Sequence, residues 1–224
     1  MAKTIRLLWG SGSPPCWRVM IALEEKNIRE YDKKLLSFDK KEHKAKETLD
    51  INPRGELPAF RHGDNVVNES IAACLYLESQ FKSNGPSLIP ESAEEQALMY
   101  QRSIEILNVQ QKTVDVLTYN ERVPEAERHD SAVKREREAL STELKLWESY
   151  MHKVGPYMAG KSFSLADVVV FPTIALTFRL GLSHEKYPKL AKYYNLMKER
   201  PSVKATWPPH WLENPKGSDV FKDL

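Results

Sequence analysis

The chain reads as a mixed α/β unit followed by an all-helical one, and three observations predict that division. The first eighty residues alternate short strand-like apolar runs with amphipathic stretches, in the order β-α-β-α-β-β-α. Residues 83–90, Ser-Asn-Gly-Pro-Ser-Leu-Ile-Pro, have the composition of a linker. Beyond them the periodicity is helical alone. A chain of 224 residues, 41% of them hydrophobic, can supply two modest cores, and the boundaries fall at 1–84 and 92–224.

Each element has a local reason. Ile5-Arg-Leu-Leu-Trp9 is a short buried strand, and the Gly/Ser/Pro loop after it opens a helix that runs to Lys26, with Val19, Ala22 and Leu23 on one face. Residues 29–36 can form a second strand, and the charged stretch 40–49 has weak helical character. Leu57-Pro-Ala-Phe-Arg61 and Asn65-Val-Val-Asn68 are short strands joined by a hairpin-type turn at His62-Gly63-Asp64. Ser70 opens a helix that reaches Phe81.

In the second domain Ser92 and Glu95 form a capping box, and Ala97, Tyr100, Ile104, Leu107, Val114 and Leu117 follow at helical spacing until Pro124. A second long helix carries Leu140, Leu144, Trp147, Met151 and Val154 and stops at Gly155-Pro156. Ser164-Leu-Ala-Asp167 is another capping box, opening an apolar helix over 168–178. Pro188 starts a further helix that ends near Pro201. The tail Trp207-Pro-Pro-His-Trp211 is too proline-rich for regular structure but aromatic enough to pack down.

Composition narrows the function. A net charge of +2 gives no push towards nucleic acid or an acidic membrane, and Lys40, Lys41, Lys44 and Lys46 read as a solvated face. Two cysteines suggest a reducing compartment without a disulfide framework. The first residues lack a signal peptide's apolar region, and the apolar run 168–178 is too short for a membrane span. A soluble cytosolic protein is expected. The six histidines show no zinc-type spacing, so no metal is expected.

The chemistry gathers in three stretches. Ser13-Pro14-Pro15-Cys16 has the spacing of a thioredoxin-like Cys-x-x-Cys with serine first, at a helix mouth that favours an anion. A hydroxyl cannot form a mixed disulfide, but it can donate a hydrogen bond to a thiolate supplied by a ligand. Read alone, Ser11, Gly12 and Ser13 form a turn and a helix cap. In the second stretch, 52–60, Leu57-Pro58 opens a strand where proline cannot donate to the ladder. A cis bond would expose the Leu57 backbone to an extended peptide ligand; a trans edge-strand proline is the alternative. Third, Glu69 and Ser70, at a strand-to-helix junction, can bind an α-amino-acid head group, and Ser70 alone can simply be an N-cap. Cys16, inside the first helical turn, reads as a buried small residue, and Arg18 reads either as a source of positive potential near the sulfur or as a solvated helix residue.

Together these motifs resemble the cytosolic glutathione S-transferases over the whole chain, with Ser-Pro-Pro-Cys-Trp-Arg, Asn-Pro-Arg-Gly-Glu-Leu-Pro, Asn-Glu-Ser and Ser-Leu-Ala-Asp in order. The serine loop is similar to the theta, zeta and delta branches, and the Asn-Pro-Arg-Gly run and the tail are most similar to the rho class. The resemblance implies a thioredoxin-like α/β N-terminal domain and an all-α C-terminal domain. It implies Ser13 as the catalytic hydroxyl, with Ser11 and Arg18 as possible thiolate support. It places glutathione on His43, Arg54, Leu57, Pro58, Glu69 and Ser70, with Pro58 the cis-proline. Glu56 departs from the pattern, standing where many relatives carry lysine or glutamine.

The implied activity is conjugation of glutathione, a co-substrate rather than a resident cofactor, to a hydrophobic electrophile held between the domains. Trp9, Tyr100, Ile104, Leu107, Asn108 and the aromatic tail would line that pocket. A homodimer with a detoxifying role is the family's usual arrangement. The rival reading is a non-catalytic glutathione or hydrophobic-ligand carrier of the same fold. A thiol reductase of the omega type would want cysteine at position 13.

Overall fold

The computed structural model describes residues 4–151 and 155–224. Its compact units are Met1–Ile89 with Lys198–Pro215, and Pro90–Met197 with Lys216–Leu224.

The first unit is built on a four-stranded sheet in the order β2-β1-β3-β4. β1 (Ile5–Trp9) pairs in parallel with β2 (Asp32–Leu35) and antiparallel with β3 (Ala59–His62), and β4 (Asn65–Val66) closes the hairpin with β3. Leu7, Leu8 and Phe60 are completely buried, so β1 and β3 carry the sheet's core. Between β1 and β2 runs α1 (Pro14–Glu25); α2 (Lys46–Leu49) follows a single 3-10 turn at Glu42–Lys44, and α3 (Ser70–Gln80) packs against α1. The order matches the sequence reading. The second strand is shorter than 29–36, and all four of its residues are exposed. It is an edge strand, and Asp32, Lys33 and Lys34 keep that edge charged. Lys26, just past α1, is buried, its ammonium donating to Glu78 at 2.8 Å and to the Pro86 carbonyl at 3.0 Å. Two opposite charges taken out of water together hold the linker's start against α1 and α3.

The second unit contains α4 (Ala93–Arg122), α5 (Asp130–Tyr150), α6 (Leu165–Arg179) and α7 (Pro188–Lys198), with α4 packed on both α5 and α6. The helically spaced stripe read from the sequence is not the face by which α4 packs. Met99, Ser103, Ile106, Val109 and Thr113 are buried, whereas Tyr100, Ile104, Leu107, Val114 and Leu117 are exposed, Ile104 by 64%. Two small hydroxyl residues sit on the packed face, where short side chains let helices approach closely. Ser92 caps α4 by accepting the Glu95 N–H at 3.1 Å, but only half of the expected box forms, because the Glu95 carboxylate lies against Gly160. α5 ends at Tyr150 with Met151 as its C-cap, short of the expected Gly155-Pro156; Val154 lies outside the described residues. No helix among the described residues is long and apolar enough to cross a membrane.

Residues 198–215 fold with the first unit rather than with the helices that precede them. They carry two short helices absent from the sequence reading, α8 (Pro201–Ala205) and α9 (Pro209–Glu213). Each has proline in its first turn, where the missing N–H costs no helical bond. Proline therefore starts these helices instead of forbidding them. Glu25, the last residue of α1, receives both Arg200 guanidinium donors at 2.6 and 2.7 Å and the Ser202 hydroxyl. Trp17 donates its indole N–H to Thr206 at 2.8 Å and meets Trp207 and Trp211 edge-to-face, centroids 5.2 and 5.5 Å away. Three tryptophans packed so are a large apolar contribution with fixed geometry.

Candidate functional site

Ser13 occupies the N-cap of α1 in extended backbone conformation, and its hydroxyl oxygen accepts the Cys16 N–H at a long 3.5 Å. Pro14 and Pro15 are the first two helical residues and have no N–H to offer. The Trp17 N–H already donates to the Ser13 carbonyl at 3.0 Å. The mouth therefore presents fewer open backbone donors than a helix start usually does. What remains is the serine itself: one lone pair receives the Cys16 N–H, and its hydroxyl bonds the Cys16 thiol, which lowers that thiol's pKa against the effect of burial.

Ser11 is placed differently. Its hydroxyl lies 2.6 Å from His210 Nδ1. Between the two serines Gly12 adopts φ +76°, and a Cβ there would stand 2.6 Å from His210 Cε1 and 3.2 Å from Trp211 Nε1. Cys16 is fully buried, accepts the Gly10 N–H at 3.4 Å, and burial pushes its thiol up to about 11. It is a packing residue. Arg18 is not the solvated residue that was one reading of it: it is 1% exposed, with Nη1 3.2 Å from the Ser70 hydroxyl oxygen. Burial lowers its pKa to about 10, which leaves it a cation at neutral pH. Its place near Ser70 ties α1 to α3.

The Leu57–Pro58 peptide bond is cis. Neither the N–H nor the C=O of Leu57 has a partner among the described residues. The turn before it is held by Asn52, whose side chain accepts the Arg54 N–H at 3.1 Å and donates to the Glu56 carbonyl at 2.9 Å. Arg54 and Glu56 both turn their side chains to solvent. Lys44, which sequence reading left on a solvated face, reaches the Arg54 carbonyl at 3.1 Å and so brings a cation to this turn. His43 stacks at a tilt on Phe38, centroids 5.3 Å apart; its Nδ1 is buried without a partner among the described residues. Burial, then Lys44 and Lys41, hold the imidazole pKa below its ordinary value.

Glu69, not Ser70, is the N-cap of α3; its carboxylate is exposed and makes no capping bond. Ser70 is the buried first residue of the helix, with its hydroxyl on Arg18. Asn68, passed over as a separate residue in the sequence, joins this junction to the neighbouring turn by donating to the Ile51 carbonyl at 2.9 Å, and its buried Oδ1 has no partner among the described residues. Trp9 is buried at the end of β1, and Tyr100, Ile104, Leu107 and Asn108 share the exposed face of α4 in the second unit. Among the described residues no group of His, Cys, Asp and Glu side chains could hold a metal ion.

A mixed four-stranded sheet with a cis-proline before β3, followed by a helical unit, defines the class: a thioredoxin-like domain joined to an all-α domain, as in the glutathione transferases. Comparison with known proteins agrees. The glutathione S-transferase N-terminal domain family matches residues 12–80, and the C-terminal domain family matches residues 108–207. The chain is 64% identical over 225 residues to glutathione S-transferase A of Pleuronectes platessa, covering all of both proteins. It matches the crystal structure of a glutathione S-transferase from the Antarctic clam Laternula elliptica with TM-score 0.85 and 40% identity, over 98% of this chain and 99% of that one. A glutathione transferase homologue from sulfitobacter, solved with bound glutathione, shares the fold at TM-score 0.76 and 24% identity, over 90% and 96% of the two chains. The chain belongs to the glutathione S-transferase family, and it is a transferase.

Proposed function

We propose that the protein binds glutathione on its first unit, holds the thiol as a thiolate with the Ser13 hydroxyl, and transfers that sulfur to hydrophobic electrophiles. The observation that carries this reading is the disposition of Ser13. It stands half-exposed at the mouth of α1, accepts the Cys16 N–H in a long bond of 3.5 Å, and its hydroxyl bonds the buried Cys16 thiol, so the same O–H can turn to donate to a ligand's sulfur anion. Cys16, buried with its thiol pushed up to about 11, is a poor nucleophile, so the reacting sulfur has to come with the ligand. A free thiol of pKa about 8.5 is a few per cent ionised at neutral pH, and lowering it two units stabilises the anion by roughly 2.7 kcal/mol.

The remaining assignments follow the same chemistry. The open N–H and C=O of Leu57, beside Pro58, pair with the tripeptide's backbone as an added strand. Glu69 takes the γ-glutamyl ammonium, and Ser70, beside the Arg18 cation, takes its carboxylate. His43 and Arg54 take the glycine carboxylate, with Lys44 supplying the positive charge that Glu56 does not. The exposed apolar stripe of α4, with Tyr100, Ile104, Leu107 and Asn108, suits an apolar electrophile. A homodimer, a rho-like class, a cytosolic location and a detoxifying role complete the proposal. Measuring conjugation of a dinitro-aryl halide by the intact protein and by Ser13→Ala tests it. Turnover by the intact protein that falls at least tenfold in the variant is expected; tight glutathione binding without turnover in either protein would favour a carrier.

A further inference from the structure

The tail segment 206–213 lies on the loop that carries Ser13, in three linked contacts within the first unit. Trp207 and Trp211 pack edge-to-face on Trp17, one turn into α1, and on each other with centroids 5.9 Å apart. Thr206 takes the Trp17 indole N–H at 2.8 Å and in turn donates to the Ser202 carbonyl at 2.7 Å, which fixes the register of the tail on α1. From this anchored base His210 reaches the loop: Nδ1 is 2.6 Å from the Ser11 hydroxyl, and the ring lies over Gly12.

Gly12 has a backbone, at φ +76°, that most side chains avoid, and nothing but hydrogen at its Cα could fit under the imidazole. The next residue is Ser13: its carbonyl is held by the Trp17 N–H at 3.0 Å, but its N–H reaches the Gly10 carbonyl only at 3.3 Å and its hydroxyl oxygen the Cys16 N–H only at 3.5 Å. The strongest side-chain bond on residues 10–13 is thus made two residues before the catalytic hydroxyl, to a group nearly two hundred residues away in sequence.

We infer that His210 is a positioning residue for the thiolate site: by holding Ser11 over a glycine that has no stiffness of its own, it sets where the Ser13 hydroxyl stands. In the tautomer whose Nδ1 accepts, the bond also takes the Ser11 proton, which leaves Ser13 as the donor for the sulfur. His210 itself touches neither reactant in this account, which rests on the glutathione-ionising role given to Ser13 above.

The test uses the full-length protein and four variants: His210→Ala, His210→Asn, Ser11→Ala and the double Ser11→Ala/His210→Ala, with Ser13→Ala as reference. Asparagine can place an amide where Nδ1 now sits, so it keeps the hydrogen bond without the ring. Two quantities are read: the thiolate absorbance of bound glutathione and the split between kcat and the glutathione KM. Losing one neutral hydrogen bond corresponds to about a threefold to tenfold effect. His210→Ala should lower kcat and the thiolate fraction by that factor, with KM changed by less than about twofold. His210→Asn should recover most of the loss. The double variant should be no worse than either single, because both singles break the same bond. Wild-type kcat and thiolate absorbance in His210→Ala overturn the inference, and so do losses that add in the double variant. Equal losses in His210→Ala and His210→Asn also overturn it, since they would show that ring packing matters instead. If Ser13→Ala keeps its thiolate, the parent reading fails; if it loses the thiolate while the His210 variants keep theirs, only this inference fails.

Discussion

Serine caps α1, α4 and α6, and the caps of α6 and α1 use it in opposite ways. Ser164, before α6, is 1% exposed and sits in a closed capping box: Asp167 accepts its N–H at 2.9 Å and, through its other oxygen, the Met158 N–H at 2.9 Å. Ser13, before α1, is partly open, has Cys16 where a box would place an acid, and accepts one N–H at 3.5 Å. The first serine is committed to the helix, and the second is held just well enough to keep its hydroxyl turned to the outside. A capping residue whose partners are incomplete is one whose chemistry remains available to a ligand. The prolines at 14 and 15 sharpen the contrast, because they remove the backbone donors that would compete for the same anion.

That comparison breaks if the two sites respond alike to substitution. The largest effect should come from Asp167→Ala, which leaves the Met158 and Ser164 N–H groups buried without an acceptor. It should cost about 3 kcal/mol of stability in a denaturant titration, while any folded fraction keeps its kcat. Next is Ser13→Ala, expected to lower kcat by about tenfold to a hundredfold, the range set by losing one to two units of thiol pKa. The 3.5 Å bond it removes is weak, so its midpoint in the same titration should shift by less than about 1 kcal/mol. Gly12→Ala should cost about 1 to 2 kcal/mol and loosen the tail, read as a change in the emission of Trp207 and Trp211, because the new methyl meets His210 on a left-handed backbone.

The remaining effect is in pH. Burial pushes Asp167 from 3.8 up to about 6, so between those values the folded state binds more protons than the unfolded one. This group's contribution is therefore full below pH 3.8 and is lost as the pH rises through about 6. Unfolding free energy measured across that window should fall with rising pH more in the parent than in Asp167→Asn; equal slopes would remove Asp167 as the titrating group.

What the sequence made legible was local. The Ser164–Asp167 box spans four residues and follows from capping chemistry alone, and it forms. The strand and helix order of the first unit is read from short periodic runs, and it also holds. The misses are contacts across long separations. Arg18 has two readings in the sequence, and only Ser70, fifty-two residues away, which meets it inside the core, rules out the solvated one. The tail was readable as aromatic, but its helices and its attachment to Trp17 depend on a partner at the other end of the chain. Periodicity found an apolar stripe on α4 but could not say that the helix packs by its other face, because both faces offer helical spacing. Lys44 stood in a charged stretch and His210 in the aromatic tail, and neither pattern pointed to contact with this turn or this loop. They are near the candidate site only because a turn at Asn52 and a helix at Pro209 bring them there.

The central claim is that an alcohol at the mouth of α1 keeps a bound tripeptide's sulfur ionised. Difference absorbance of glutathione bound at neutral pH, in the intact protein and in Ser13→Ala, measures this directly. The account predicts a thiolate band in the intact protein that is lost in Ser13→Ala and only reduced in Ser11→Ala. A band that survives Ser13→Ala undiminished would contradict it.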